Sequence, residues 1–382
     1  MAKRTTQYRF RFWSATLVTA MALAGLVLPF SDGVAQQTNE NTFRLLTFQV
    51  GSGGPRLGTT RGNGQEDIVD VHNAILYLVK AGVPEVSGLS PVPIDMRSLI
   101  EAGEASVRSV QTVHETITRL RSSGSFTDPG GVHRVFHPPA GVTYLPPITN
   151  PSKIVAGAGA YQRPGPDGAP GNYDRVEFPS FFFKPPSGLA AHNGVINLWG
   201  LLNNGVYEPE FAAIIGKRAR FVPVAEALDY VFGYTNFNDV SSRDLPQGRH
   251  PSQGSNVAKG LDTFTVVGPY ITLKEDVPDP GNLDIGAAVN GEPHEWPGDN
   301  GNTRMLTFTL QQSISYLSER MTLEPGDIVS TGVPSPSMPF AVGETIEITI
   351  GNLGTLRSRV VSEPHPGWTP ITPAPGSIPP SQ

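Results

Sequence analysis

Short apolar runs, separated by turn-forming residues, dominate the chain after residue 41. Residues 42–50 (TFRLLTFQV) predict an opening strand, and residues 65–79 (QEDIVDVHNAILYLV) predict a strand that runs into a helix. Apolar residues recur at helical spacing in 106–123, 222–233 and 305–320, so we predict helices there. The pattern therefore indicates a chain that mixes both element types.

The second part of the chain is richer in strands. Runs such as FAAIIG, FTVVGPYITL and TIEITIGNLGTLRSRVV predict a mixed sheet with few helices. A proline-dense connector ends near residue 150, so we predict a smaller N-terminal β/α domain over 42–150 and a β-rich domain over 151–361. Residues 362–382 are proline-rich without apolar periodicity, and we expect an extended tail. The fold class expected is α+β and β-rich.

Composition narrows the class of protein. The 382 residues include 42 glycines and 37 prolines, which favours a loop-rich β architecture over a helical bundle. The net charge of -6, without a long basic run, gives no electrostatic footprint for nucleic acid. The chain has no cysteine, which excludes disulfides and thiol chemistry.

Residues 1–35 have the layout of a secretory signal peptide. A basic stretch that ends at Arg11 precedes an apolar run, and small residues at Gly33 and Ala35 offer a cleavage site. There is no Arg-Arg pair, so the general export route is expected rather than the twin-arginine one. We predict a bacterial periplasmic or secreted protein, free of the membrane after cleavage; an uncleaved anchor is the alternative.

Two carboxylates stand two residues apart at the mouth of an apolar run, in YEPEFAAIIGK (207–217). Side chains at i and i+2 of a strand share a face, so Glu208 and Glu210 repel each other unless a cation lies between them or water bathes the strand end. Asp239 follows in NDVSSRD. Three carboxylates, without cysteine or histidine at metal spacing, suit magnesium, manganese or calcium. Taken singly, each acid also has a structural explanation.

The order of these motifs resembles the fumarylacetoacetate hydrolase family. The resemblance is carried by YEPEFAAIIGK, GYTNFNDVSSRD, KGLDTF, NGE and LEPGDIVSTGVP, with weaker support from KIVAGAGAY and FFFKPPSGL. It covers about residues 42–361. The family's mixed β-roll catalytic domain and a homodimer are therefore expected.

The resemblance implies a divalent-metal site and a substrate class. Family members act on 2-oxo acids and β-diketones, and the positions of Glu208, Glu210 and Asp239 would hold one ion, usually Mg2+. A metal on the substrate carbonyl stabilises the enolate that forms as the C–C bond breaks. Arg243 and Lys259 match cations that hold the substrate carboxylate or the developing oxyanion, and both are assigned catalytic and substrate-binding roles.

Other positions carried over from the family belong to the substrate pocket. Tyr161 ends the KIVAGAGAY strand and is assigned to substrate binding. Lys184 matches a lysine near the pocket rim and is also assigned to substrate binding, with a role more structural than catalytic.

The chain departs from the family's pattern where water is activated. The family's catalytic histidine and glutamate, three residues apart, correspond to Pro164 and Asp167 here, and proline cannot take a proton. A substrate-facing glutamine is displaced by one place to Gln247, and Val333 replaces a hydroxyl residue that would bind carboxylate.

Three functions follow from these matches and departures. The first is a metal-dependent C–C hydrolase of diketo acids such as acylpyruvates, with Asp167 or a histidine from elsewhere, such as His250 or His294, as base. The second is a tautomerase, isomerase or decarboxylase of oxo acids, which needs no activated water. The third is a non-catalytic exported protein that binds metal and ligand.

Overall fold

The computed structural model describes residues 42–62, 66–162, 177–244, 254–296, 301–334, 337–364 and 366–367. Its α-helices are α1 (Val71–Lys80), α2 (Met96–Ala102), α3 (Glu104–Ser122), α4 (Gly254–Lys259) and α5 (Leu310–Arg320). Short 3-10 helices cover Pro84–Val86, Gly131–His133, Pro139–Gly141, Pro186–Gly188, Val224–Tyr230, Lys274–Asp276 and Thr303–Met305.

The strands of the first half are β1 (Phe43–Gln49), β2 (Arg56–Arg61), β3 (Ile68–Asp70), β4 (Phe136–His137), β5 (Thr143–Leu145), β6 (Ile154–Ala158), β7 (Ser180–Lys184), β8 (Leu189–Ala191) and β9 (Gly194–Asn197). Those of the second half are β10 (Gly205–Tyr207), β11 (Pro209–Ile215), β12 (Val231–Asp239), β13 (Ser241–Ser242), β14 (Thr265–Leu273), β15 (Ile285–Val289), β16 (Glu292–Pro293), β17 (Ile328–Ser330), β18 (Met338–Phe340), β19 (Thr345–Ile350) and β20 (Thr355–Val361).

One large mixed sheet organises the molecule. Its order is β4-β3-β2-β1-β14-β12-β11-β17-β6-β7, with β5 paired to β1 and β8 paired to β14. A second sheet has the order β16-β15-β19-β20-β9, and a small one has the order β13-β10-β18. Strands from 43–145 and from 154–330 thus share the large sheet. The α+β, strand-rich class expected from the sequence is confirmed, while the domain boundary near residue 150 stays a prediction.

The central strand β11 is covered on both faces. Phe211 and Ala213 pack in a core with residues of the second sheet and α5. Ala212 and Ile214 pack in a different core, with residues of α2 and α3. Burial on both faces explains why this strand reads as a continuous apolar run.

Two of the early helices, α1 and α3, form where the sequence predicts them. Helix α1 begins after Asp70, whose side chain accepts a hydrogen bond from the backbone N–H of Asn73, and α3 covers the predicted segment 106–123. Among the described residues, no helix is both long and apolar enough to cross a bilayer. The predicted signal peptide lies outside the described residues, as does nearly all of the predicted tail.

Two helix predictions need correction. Over 222–233 the chain forms a 3-10 helix only at Val224–Tyr230, because Val231 already pairs with Ile215 as the first residue of β12. Over 305–320 the α-helix begins at Leu310, since Thr309 caps it in a reciprocal pair of hydrogen bonds with Gln312. In both segments, sheet pairing or a cap defines the element more narrowly than apolar periodicity does.

Candidate metal centre

Three buried carboxylates meet where β11 and β12 lie side by side. Glu208 immediately precedes β11, Glu210 is its second residue, and Asp239 ends β12. The backbone N–H of Asp239 donates to the carbonyl of Glu208 at 3.0 Å, which fixes the register of the two strands here. One ligand oxygen from each acid lies within 4.8 Å of the others. The structure thus brings Asp239 to the two glutamates, which lie 31 and 29 residues before it in the sequence.

Glu210 is held by one of its two oxygens. Its Oε2 accepts hydrogen bonds from the Ser330 hydroxyl and from the backbone N–H of Gly332, the latter at 3.1 Å. Its Oε1 is buried without a hydrogen-bond partner among the described residues. A buried carboxylate oxygen without a partner is costly, so this atom needs a donor or a cation.

Asp239 lies between two lysines. The ammonium of Lys184 donates to Oδ1, and the ammonium of Lys259 donates to Oδ2. Lys259 also reaches Oε2 of Glu208 at 2.5 Å and therefore bridges two of the three acids. Both aspartate oxygens keep acceptor capacity, because each carboxylate oxygen has two lone pairs.

Arg243 lies on the solvent side of the acids. Its Nη2 is 3.9 Å from Oε1 of Glu208, and its side chain is 47% exposed. The same nitrogen donates to the Ser337 hydroxyl. Arg243 thus combines access to solvent with a position beside the buried carboxylates.

The acids differ in how the site shifts their pKa values. Burial, reinforced by the charge of Asp239, raises the pKa of Glu208 and raises that of Glu210 well above its usual range. Burial would also raise the pKa of Asp239, but Lys184 and Lys259 outweigh it and lower that pKa. Burial opposes the charge on Lys259, yet Asp239 and Glu208 raise its pKa, so it is an ammonium at neutral pH.

This donor set fits a hard divalent cation. It offers only carboxylate oxygens, they converge within coordination reach, and one of them is buried without a partner. Glu208, Glu210 and Asp239 would be the protein ligands of Mg2+, Mn2+ or Ca2+.

The remaining predicted site residues fall into three groups. Tyr161 is buried, and its hydroxyl lies 3.3 Å from that of Thr331; Val333 is half-buried in the loop that follows β17. Asp167 and Gln247 lie outside the described residues, as do Pro164 and His250. His294 is half-buried at the end of the β15–β16 hairpin and forms a T-shaped contact with Trp296.

Lys184 lies in the protein interior beside the acids, and its predicted place near a pocket rim stays a prediction. Its side chain is fully buried, and its ammonium also donates to the backbone carbonyls of Val240 at 3.3 Å and Phe264 at 2.9 Å. Its three N–H groups are thereby used inside the protein. The substrate-binding role assigned to it does not fit this position.

Sequence reasoning missed the contacts that hold Glu210. Ser330 and Gly332 belong to the motif LEPGDIVSTGVP, in which we assigned only Val333 to the site. The polar Ser330 at the end of the apolar strand β17 was the available signal, since a hydroxyl in a buried strand requires a partner.

Comparison with known proteins agrees with the motif order. The family model described as fumarylacetoacetate (FAA) hydrolase C-terminal matches residues 155–361. The mitochondrial oxaloacetate tautomerase FAHD2A of Bos taurus is 29% identical over 327 residues, which are 83% of this chain and 91% of that protein.

Solved structures show the same fold. Maleylpyruvate hydrolase from Sphingobium sp. SYK-6, in complex with manganese(II) and pyruvate, is 28% identical with a TM-score of 0.57, covering 84% of this chain and 99% of its own. The 5-carboxymethyl-2-hydroxymuconate delta-isomerase from Mycobacterium smegmatis is 26% identical with a TM-score of 0.58. The match covers 84% of this chain and 100% of that chain. With more than half of its length matched by the family model, this chain belongs to the fumarylacetoacetate hydrolase family.

Proposed function

We propose that this protein catalyses divalent-cation-dependent keto–enol chemistry on a small 2-oxo acid, as a tautomerase or isomerase. The observation that carries the proposal is the buried set of three convergent carboxylates, flanked by Lys259 and by the half-exposed Arg243. A full-length comparison supports it, because the oxaloacetate tautomerase of Bos taurus matches across 83% of this chain.

The chain's own residues supply binding and charge. A bound cation would supply Lewis acidity at the substrate's carbonyl oxygen. Arg243 reaches solvent beside Glu208 and would bind the substrate carboxylate. Lys259 is an ammonium with a raised pKa, so it donates a hydrogen bond to a developing negative oxygen and does not act as a base.

Tautomerisation requires fewer catalytic groups at this site than hydrolysis does. It moves a proton between carbon and oxygen, whereas C–C hydrolysis also needs an activated water. Pro164 stands where the resemblance places the water-activating histidine. In the described ranges, Lys259 bonds to two of the three acids, and its raised pKa makes it an ammonium and not a base.

Hydrolysis of an acylpyruvate is the second candidate. It is supported by the 28% identity to maleylpyruvate hydrolase, whose structure contains manganese(II) and pyruvate. In this case Asp167 would serve as the base. Decarboxylation, or binding without turnover, would be the remaining outcomes of a direct test.

One assay distinguishes these functions. The protein, with Mg2+ or Mn2+, is given enol oxaloacetate and an acylpyruvate, and absorbance and products are followed together. A tautomerase accelerates the loss of enol absorbance without new products, while a hydrolase releases pyruvate and a second acid. Thermal stabilisation by the oxo acid without any turnover would indicate a binding protein and contradict both candidates.

Cellular location and assembly belong to the proposal as well. We propose export with removal of residues 1–35, and assembly as a homodimer, as the resemblance implies. Intact-mass analysis of the exported protein and light scattering would test them. A chain that keeps its first 35 residues, or a monomeric mass, would contradict the respective statement.

A further inference from the structure

Strand β7 turns alternate side chains toward the acids and away from them. It pairs with β6 and ends the order of the large sheet among the described strands. Lys184 and Phe182 share one face, since they are two residues apart. The ring of Phe182 lies 5.0 Å from the ammonium of Lys259, while Phe183, on the other face, is half-exposed. Lys184 therefore belongs to β7, and Lys259 contacts it.

The ammonium of Lys184 joins three separate elements. It donates to Oδ1 of Asp239 at the end of β12, to the carbonyl of Val240 in the next turn, and to the carbonyl of Phe264 just before β14. The side chains of Lys184 and Asp239 are both fully buried. The lysine thus holds the carboxylate from within the protein interior.

We infer that Lys184 is a positioning residue for the cation site, which it serves by fixing the Asp239 carboxylate. With Oδ1 held by Lys184 and Oδ2 by Lys259, the carboxylate cannot rotate, and it stays directed at Glu208 and Glu210. Partners that orient metal ligands in this way typically contribute about 10–100-fold to metal affinity. The inference rests on the proposed metal-dependent function.

Lysine at position 184 supplies hydrogen-bond donors, which an apolar residue of similar length cannot supply. Replacement by methionine keeps the length of the side chain but leaves Oδ1 of Asp239 and two backbone carbonyls without this donor. The carboxylate would then turn toward Lys259, its remaining ammonium, and away from the position it shares with the two glutamates.

The first test compares Lys184→Met with a matched control in the full-length protein. Lys153 also pairs with a fully buried aspartate, Asp327, at 2.5 Å; the two residues immediately precede β6 and β17. Mn2+ affinity is measured by electron paramagnetic resonance, and unfolding temperature is measured beside it. We expect Lys184→Met to weaken Mn2+ binding by about 10–100-fold, and Lys153→Met to lower stability without changing the affinity. Equal or tighter Mn2+ binding by Lys184→Met would overturn the inference.

A double variant keeps the test decisive if Lys184→Met does not fold. Lys184→Met combined with Asp239→Asn removes both charges of the buried pair. If the lysine acts through Asp239, the double variant binds Mn2+ as Asp239→Asn alone does, within about threefold. A further loss of tenfold would show that Lys184 acts by another route. Wild-type protein that binds no Mn2+ would instead contradict the proposed function itself.

Discussion

Replacing Glu210 by glutamine removes a charge from the acidic set and changes almost nothing else. The side chain is fully buried, with Oε2 bound by Ser330 and Gly332 and Oε1 left without a partner. The amide oxygen of glutamine can keep both bonds. Its NH2 group would then face Glu208 and Asp239, where a donor is favourable.

The expected magnitude follows from the spacing of the ligand atoms. When Glu210 is ionised, two unit charges at the 4.8 Å upper limit of the ligand separations repel by about 3.5 kcal/mol at an effective dielectric constant of about 20. Lys259 and Lys184 offset part of this repulsion. Without cation, Glu210→Gln should therefore unfold at the wild-type temperature or above it. Its cation affinity should fall by more than about 100-fold, which exceeds the usual effect of losing a supporting residue.

Calorimetric titration with Mn2+ and thermal unfolding provide the two readouts. Glu347→Gln is the matched control, because this glutamate lies on β19 and pairs with Arg357 instead. Glu210→Ala should also abolish cation binding while the fold persists. The reasoning is refuted if Glu210→Gln binds Mn2+ as wild type does. It is also refuted if the cation-free variant loses several degrees of stability, since Glu210 would then be a structural acceptor.

Three further results are expected. Burial raises the pKa of Glu210, so protons compete with the cation for this carboxylate. Mg2+ should therefore raise the unfolding temperature more at pH 8 than at pH 6, and a larger increase at pH 6 would contradict the proposed site. Asp327 accepts hydrogen bonds from the Ser152 hydroxyl, from the backbone N–H and ammonium of Lys153, and from the backbone N–H of Glu324. Asp327→Ala should therefore lower the free energy of unfolding in urea by about 3 kcal/mol, and a loss below about 1 kcal/mol would contradict this. Phe221 is 65% exposed at φ 54°, so Phe221→Asn should raise the free energy of unfolding by about 0.5–1 kcal/mol in the same assay. A lower free energy of unfolding would contradict this and would show that the contact of Phe221 with Arg220 outweighs the strain.

The acidic ligands could be predicted because a local rule places them. Glu208 and Glu210 share a face through the two-residue period of a strand, and the order of motifs adds Asp239. The supporting contacts obey no local rule. Lys184 meets Asp239 across 55 residues, and Ser330 meets Glu210 across 120, so only the packing of β7 and β17 reveals them.

The fold shows the same division between local and long-range information. Helix α3 has strong periodicity and lies where its pattern predicts. Residues 222–233 also carry an apolar pattern, but hydrogen bonds from Gly216 to Tyr230 and pairing of Val231 with Ile215 draw the end of that segment into the sheet. Pairing with a distant strand overrides local helical preference here.

Diffraction from crystals grown with Mn2+, measured at the manganese absorption edge, would locate the cation itself. We expect one anomalous peak per chain, about 2 Å from an oxygen of each of Glu208, Glu210 and Asp239, including Oε1 of Glu210. A peak at other residues only, or none at saturating Mn2+, would contradict it.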